Sequence, residues 1–235
     1  MRKGDARREE LLATAERLFC ARGYEGTSVQ DIIDEMGYSK GGFYHHFDSK
    51  LAVLEAICQM RAQQSCERAK AAVARADTPT ARLNALLRGV PLWNDEDKGF
   101  VALLIRVTTH DDGALMREKM KRCQLAELEP PLEAVIAEGM AQGVFLATDA
   151  AACASLILRL TAQFADEIAQ LLANQGEGDT PVARMIACLT AYRAAIERFL
   201  LAPFGSVVLF EAQEMQVLAQ SMRQTGAPDA GGNAE

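Results

Sequence analysis

Apolar residues recur at helical spacing along almost the whole chain. No window alternates at period two with β-branched enrichment, so the pattern predicts an all-α fold. The first stripe is Leu11, Leu12, Ala15, Leu18 and Phe19, one face of a helix from about Asp5 to Arg22, with Gly23 at its left-handed end. Val29, Ile32, Ile33 and Met36 form a second, short stripe. Thr27 and Gln30 are spaced as a capping box at its start, and Gly37 closes it. Ser39 is placed to cap a third, very short helix. Asp48 or Ser49 caps a fourth, which runs from Lys50 to about Ala76.

The pattern continues in the same manner. Thr78-Pro79 opens a helix to about Gly89, and residues 91–98 form a loop. Helices follow at about 99–109 and 113–129, and Pro130-Pro131 predicts a break or kink before another at 132–142. Asp149 opens a long apolar helix to about Asn174, and Pro181 starts one to about Leu201. A last amphipathic helix is expected over about 206–224, and the composition of 226–235 predicts disorder.

One stretch breaks the monotony: SKGGFYHHFDSK, residues 39–50. Glycine inside a helix costs about 1 kcal/mol relative to alanine, so Gly41 and Gly42 need a compensating use. Two short helices joined by a glycine-containing turn make a helix-turn-helix, whose second helix meets base edges in the major groove with its N-terminal residues. Those residues are Ser39, Lys40, Gly41 and Gly42, and absent side chains let a backbone approach DNA closely. Tyr44 and His45 suit phosphates or base edges, and Lys40 and Lys50 suit phosphates, Lys50 at a helix N-terminus. Phe43 and Phe47, four apart, share one face and belong to the core. His45 and His46 project about 100° apart on a helix, which disfavours joint chelation of a metal.

The segment TSVQDIIDEMGYSKGGFYHHFDSKLAVLEAI resembles the N-terminal DNA-binding region of the TetR family of transcriptional repressors, over about Leu11 to Ile57. EGMAQGVF, residues 138–145, is similar to a stretch common in that family. The resemblance implies a ligand-responsive homodimeric repressor. Its helix-turn-helix head would be 1–50 and its helical ligand-binding and dimerisation body 51–225. It assigns Lys40, Gly41, Gly42, Tyr44, His45 and His46 to the recognition helix, Thr27 and Ser28 to phosphate at the second helix, and Lys50 to phosphate at the fourth. Gly42 stands where the family usually has threonine or serine, which shifts base readout toward Lys40 or His45.

Composition narrows the alternatives. The net charge is −7, yet Arg2, Lys3, Arg7 and Arg8 cluster at the N-terminus, and a DNA footprint is local. No apolar run approaches the about 18 residues of a membrane span, and the N-terminus lacks a signal-peptide core, so a cytoplasmic protein is expected. Six cysteines without a C-x-x-C pair predict buried thiols rather than disulfides or zinc. Nucleophile elbows, phosphate loops and metalloprotease motifs are absent, so neither an enzyme nor a cofactor is expected. The competing class is a helical small-molecule-binding or interaction protein without operator binding.

A helix-turn-helix regulator needs a two-fold partner to read a palindromic operator. The alanine- and leucine-rich segments 149–174 and 181–201 are consecutive and long enough to form a four-helix bundle in a homodimer. Trp93, Phe100, Leu104, Met116, Met120 and Phe164 are the candidates for an adaptable ligand pocket. Few basic residues accompany them, which favours an apolar or cationic effector. His110, beside Asp111 and Asp112, fits an ordinary helix end better than a polar handle for the ligand.

Overall fold

The computed structural model describes residues 3–90, 98–108, 111–173, 182–210, 213, 214 and 216. Among them it forms nine helices and no strand: α1 (Lys3–Arg22), α2 (Val29–Met36), α3 (Lys40–Tyr44), α4 (Lys50–Val73), α5 (Pro79–Leu87), α6 (Lys98–Thr108), α7 (Asp111–Ala141), α8 (Ala150–Ala173) and α9 (Val182–Leu200). No described helix is long and apolar enough to cross a membrane. The chain divides into two compact units, Met1–Gln64 with Leu92–Cys123, and Ser65–Pro91 with Gln124–Glu235.

In the first unit the stripe of α1 is buried as its spacing predicts: Leu11, Leu12, Ala15, Leu18 and Phe19 meet Ile32, Ile33, Phe43, Phe47, Val53, Leu54 and Ile57 in one cluster. Phe100 and Leu103 of α6 join the same cluster, and α6 packs directly on α1. Glu16 enters this interior accompanied. Arg61 Nε donates to its Oε1 at 2.8 Å, while the guanidinium lies 5.6 Å above the Phe100 ring. A buried carboxylate is tolerable only with such a partner.

The second unit packs α8 against α9 and buries Ile157, Leu158, Phe164, Ile168, Met185 and Ile196. At the end of α7, a Cβ on Gly139 would lie 2.2 Å from Cδ2 of the Phe145 ring, so only glycine fits there. The local caps follow the sequence. Thr78 accepts from the Ala81 amide before Pro79, and Asp149 Oδ1 accepts from the Ala152 amide at 2.6 Å.

Three expectations need correction. Pro130 and Pro131 do not interrupt the chain, for α7 runs through both. The missing N–H groups leave the carbonyls of Ala126 and Glu127 without helical donors, but both residues are exposed to water. Leu128, Leu132, Val135 and Ile136 keep one buried stripe across the site and hold the helix together. The helix expected over about 206–224 is helical at Gln213, Glu214 and Gln216, but its start, Ser206 to Phe210, is not. Its amides find side-chain acceptors instead: Gly205 and Val207 donate to the buried Glu197 Oε1, and Val208 donates to Asn84 Oδ1. The tail 226–235 lies outside the described residues. Finally, the thiols are not uniformly buried: Cys58, Cys66 and Cys153 are, but Cys20 and Cys123 occupy outward positions.

Candidate nucleic-acid interface

Two short helices and the turn between them set this face. Ser28, with extended φ −91° and ψ 163°, caps α2: its Oγ accepts from the Asp31 amide at 3.1 Å, and its own amide donates to Asp31 Oδ2 at 2.7 Å. The Ser28 hydroxyl and amide together hold the Asp31 carboxyl below its ordinary range. The capping box is therefore Ser28–Asp31, one residue beyond the expected Thr27–Gln30. Thr27 is wholly buried and its hydroxyl donates to the Gly23 carbonyl at 2.9 Å. That corrects its assignment to phosphate, because a side chain sealed inside the head cannot reach DNA.

Gly37 takes φ 62°, which glycine adopts freely, and its amide closes the end of α2 on the Asp34 and Ile33 carbonyls. Two residues later Ser39 caps α3, accepting from the Gly42 amide at 3.2 Å. Phe43 and Phe47 anchor this short helix in the core, their rings 6.5 Å apart. Lys40, Gly41, Tyr44 and His45 are left exposed and Gly42 and His46 half-exposed. The adjacent histidine rings stand edge to face, 5.1 Å apart.

The two glycines are not demanded by packing. A Cβ on Gly41 would meet nothing within 4 Å, and one on Gly42 only the Ser39 hydroxyl at 3.4 Å. Neither has a positive φ. Among the described residues no contact requires glycine at either position.

Lys50 opens α4, which is capped by Ser49: its Oγ accepts from the Ala52 amide at 3.1 Å. Its Nζ donates to the Tyr24 carbonyl at 2.9 Å, stands 4.1 Å above the Tyr24 ring and lies 3.7 Å from Glu25 Oε2. The ammonium thus braces the loop between α1 and α2 while sitting at a helix N-terminus. Sequence reasoning missed Tyr38, whose hydroxyl donates to Glu10 Oε2 at 2.9 Å from the turn itself. It also missed the Arg17–Glu35 pair. The signal for Tyr38 was its place next to the cap of α3.

The pocket candidates fall in both units. Phe100, Leu104 and Met120 contribute to the first unit's cluster. Phe164 is buried in the second unit, its ring 5.6 Å from Tyr192 and 6.5 Å from Phe210. Trp93, His110, Arg2 and the side chains of Lys3 and Met116 lie outside the described residues. Beside Phe164, Tyr192 donates to Glu167 Oε1 at 2.6 Å and the Cys188 thiol to Oε2 at 3.2 Å. These two donors, Tyr192 foremost, hold the Glu167 carboxyl below its usual range. Among the described residues no group of histidine, cysteine and acidic side chains is gathered to hold a metal.

Residues 11–57 match the model of the bacterial regulatory proteins, tetR family. Two curated relatives match over the same part of the chain. One is the HTH-type transcriptional repressor KstR2 of Rhodococcus jostii, 49% identical over 51 residues, covering 22% of this chain and 25% of that protein. The other is the HTH-type transcriptional regulator YerO of Bacillus subtilis, 43% identical over 53 residues, covering 23% and 18%. The chain thus spans a quarter or less of the length of these curated relatives. A crystal structure of a TetR-family transcriptional regulator from Pectobacterium atrosepticum matches more widely, with a TM-score of 0.61 and 26% identity, covering 86% of this chain and 97% of that one.

Proposed function

We infer that the chain, which belongs to the TetR family, is an operator-binding transcriptional regulator acting as a ligand-responsive homodimeric repressor. The observation that carries this reading is the pair of open glycines on α3. Gly41 and Gly42 carry a helix penalty that no internal contact explains, on a helix capped by Ser39 and anchored by Phe43 and Phe47. Close approach to DNA backbone and base edges explains it. Residues 1–50 act as the reading head, with Lys40, Tyr44, His45 and His46 facing DNA. Ser28 and Lys50 meet phosphate once they leave Asp31 and Glu25. The body, 51–225, binds the effector and dimerises.

The partner is a second copy joined through α8 and α9. Those helices pack on each other yet leave Leu156, Ile186 and Phe199 partly exposed, and Ala183, Ala187 and Ala191 line the outer side of α9 at four-residue spacing. Small residues at that interval permit close helix approach, and apolar neighbours favour burial. Such a dimer reads a palindromic operator. The effector is apolar or cationic, since few basic residues accompany the candidate pocket side chains. It acts by binding the operator-free conformation more tightly than the operator-bound one. The cell compartment consistent with this role is the cytoplasm.

The test is fluorescence anisotropy against duplex DNA from immediately upstream of the chain's own gene and against a scrambled duplex, across a salt series. Tight, salt-sensitive preference for the native duplex supports the reading. Absence of binding to any duplex, followed by an empty genome-wide pull-down, overturns it in favour of a helical sensor without a DNA partner.

A further inference from the structure

We propose that the carboxylates of Glu10 and Glu25 occupy, in the unbound protein, donors with which the head meets DNA phosphate, and thereby hold down its affinity for the DNA backbone. The inference rests on the DNA-binding reading above.

Tyr38 stands immediately before Ser39, the cap of α3, and its hydroxyl donates to Glu10 Oε2 at 2.9 Å. Lys50 opens α4 and holds Glu25 Oε2 at 3.7 Å. The two acids come from α1 and from the loop after it, not from the turn or the recognition helix. Neither is buried or needed to cap a helix. Glu10 is exposed, the Glu25 side chain is 84% exposed, and neither takes part in a helix cap. Asp31 differs, because it accepts from the Ser28 amide and completes the cap of α2.

A carboxylate oxygen and a phosphate oxygen are equivalent acceptors for a phenol or an ammonium. Docking therefore exchanges one acid for another: the Tyr38 hydroxyl turns its hydrogen bond from Glu10 to a backbone phosphate, and the Lys50 ammonium trades its ion pair with Glu25 for one with phosphate. Lys50 keeps its bond to the Tyr24 carbonyl, since an ammonium has three protons. Both carboxylates are exposed to water, which keeps each contact weak enough to exchange. The displaced carboxylates then face phosphates of like charge and take up cations, which offsets part of the counterion release from DNA.

The test compares the full chain with Glu10→Gln, Glu25→Gln and the double variant. Glu127→Gln is the control, an exposed acid paired with Lys70 on another part of the fold. Anisotropy on a short duplex of arbitrary sequence, over a salt series, is the readout, with thermal melting to confirm folding. Each single change is expected to tighten binding about two- to five-fold and both together about five- to twenty-fold. The salt slope of the double variant should steepen by up to about one. The control should leave affinity within about two-fold. Wild type binding with the same affinity and slope as the double variant overturns the masking but leaves the DNA reading intact. An equal gain in the control also overturns it, reducing the effect to net charge. Binding by none of the proteins overturns both readings.

Discussion

Lys50 Nζ donates to the carbonyl of Tyr24 at 2.9 Å and rests 4.1 Å above the ring of the same residue. One side chain thereby ties the start of α4 to the loop between α1 and α2. From the sequence, Lys50→Ala should weaken DNA binding and leave thermal stability nearly unchanged. The structure changes that expectation: the variant loses a charged hydrogen bond and a cation–π contact, together about 1–2 kcal/mol. Chemical denaturation and anisotropy on the same protein check it, and a melting curve unchanged from wild type would contradict the brace.

Gly41→Ala separates folding from recognition. The added methyl meets nothing within 4 Å, so the variant should be more stable by about 0.5–1 kcal/mol. On the proposed DNA-binding role, its DNA affinity should nevertheless fall about ten-fold or more, as the methyl holds α3 away from the duplex. Full affinity would mean that the glycine serves some other end.

Tyr44 and Phe47 sit three residues apart with opposite duties. Tyr44 is 46% exposed, and Tyr44→Ala should change stability by no more than about 0.5 kcal/mol while weakening DNA binding. Phe47 is 6% exposed and lies under the Arg8 guanidinium, so Phe47→Ala should cost about 3–5 kcal/mol and unfold the head. Urea titration of the two variants makes the comparison directly.

Gly139→Ala tests packing in the second unit. The new Cβ would sit against the Phe145 ring, itself 1% exposed, and forcing it aside should cost about 1–3 kcal/mol. The double variant Gly139→Ala with Phe145→Leu should recover part of that loss if the ring is the obstacle, which thermal melting reports.

The Glu167 cluster carries a pH signature. Its carboxyl is held below the ordinary value of 4.5, first by the Tyr192 hydroxyl and then by the Cys188 thiol. A depressed carboxylate pKa contributes stability that is present above the unfolded value and lost as pH falls through the depressed one. Tyr192→Phe should therefore destabilise at neutral pH, with the gap to wild type narrowing as the medium is acidified below about 4. Cys188 offers a parallel readout. Burial and Glu167 push its thiol up to about 12, so it should alkylate slowly in the native protein and faster after Glu167→Gln.

Local chemistry was the part of the fold legible in the sequence. Ser39, Thr78 and Asp149 cap the helices they precede, and Gly23 and Gly37 take positive φ, because each signal is complete within a few residues. The cap of α2 was displaced by one. Thr27 and Ser28 are equivalent capping types, and only the interior behind Thr27 decides which of them turns inward. The twin prolines misled for a related reason, since what carries α7 past them is a buried stripe contributed by its surroundings. On α3, the exposure of Lys40, Gly41, Tyr44 and His45 followed from the positions of Phe43 and Phe47. The partners of Tyr38 and Lys50 were not legible, because Glu10 lies 28 residues and Tyr24 lies 26 residues away along the chain.

Phe100 and Leu103 of α6 complete the interior of the first unit, with Phe100 also under Arg61. The segment proposed to read DNA is thus not a detachable cartridge. A chimeric regulator made by grafting residues 1–50 alone onto a foreign body would present an unfilled face of α1 to whatever scaffold received it. A functional transplant has to carry α6 along, or redesign the seam that it fills.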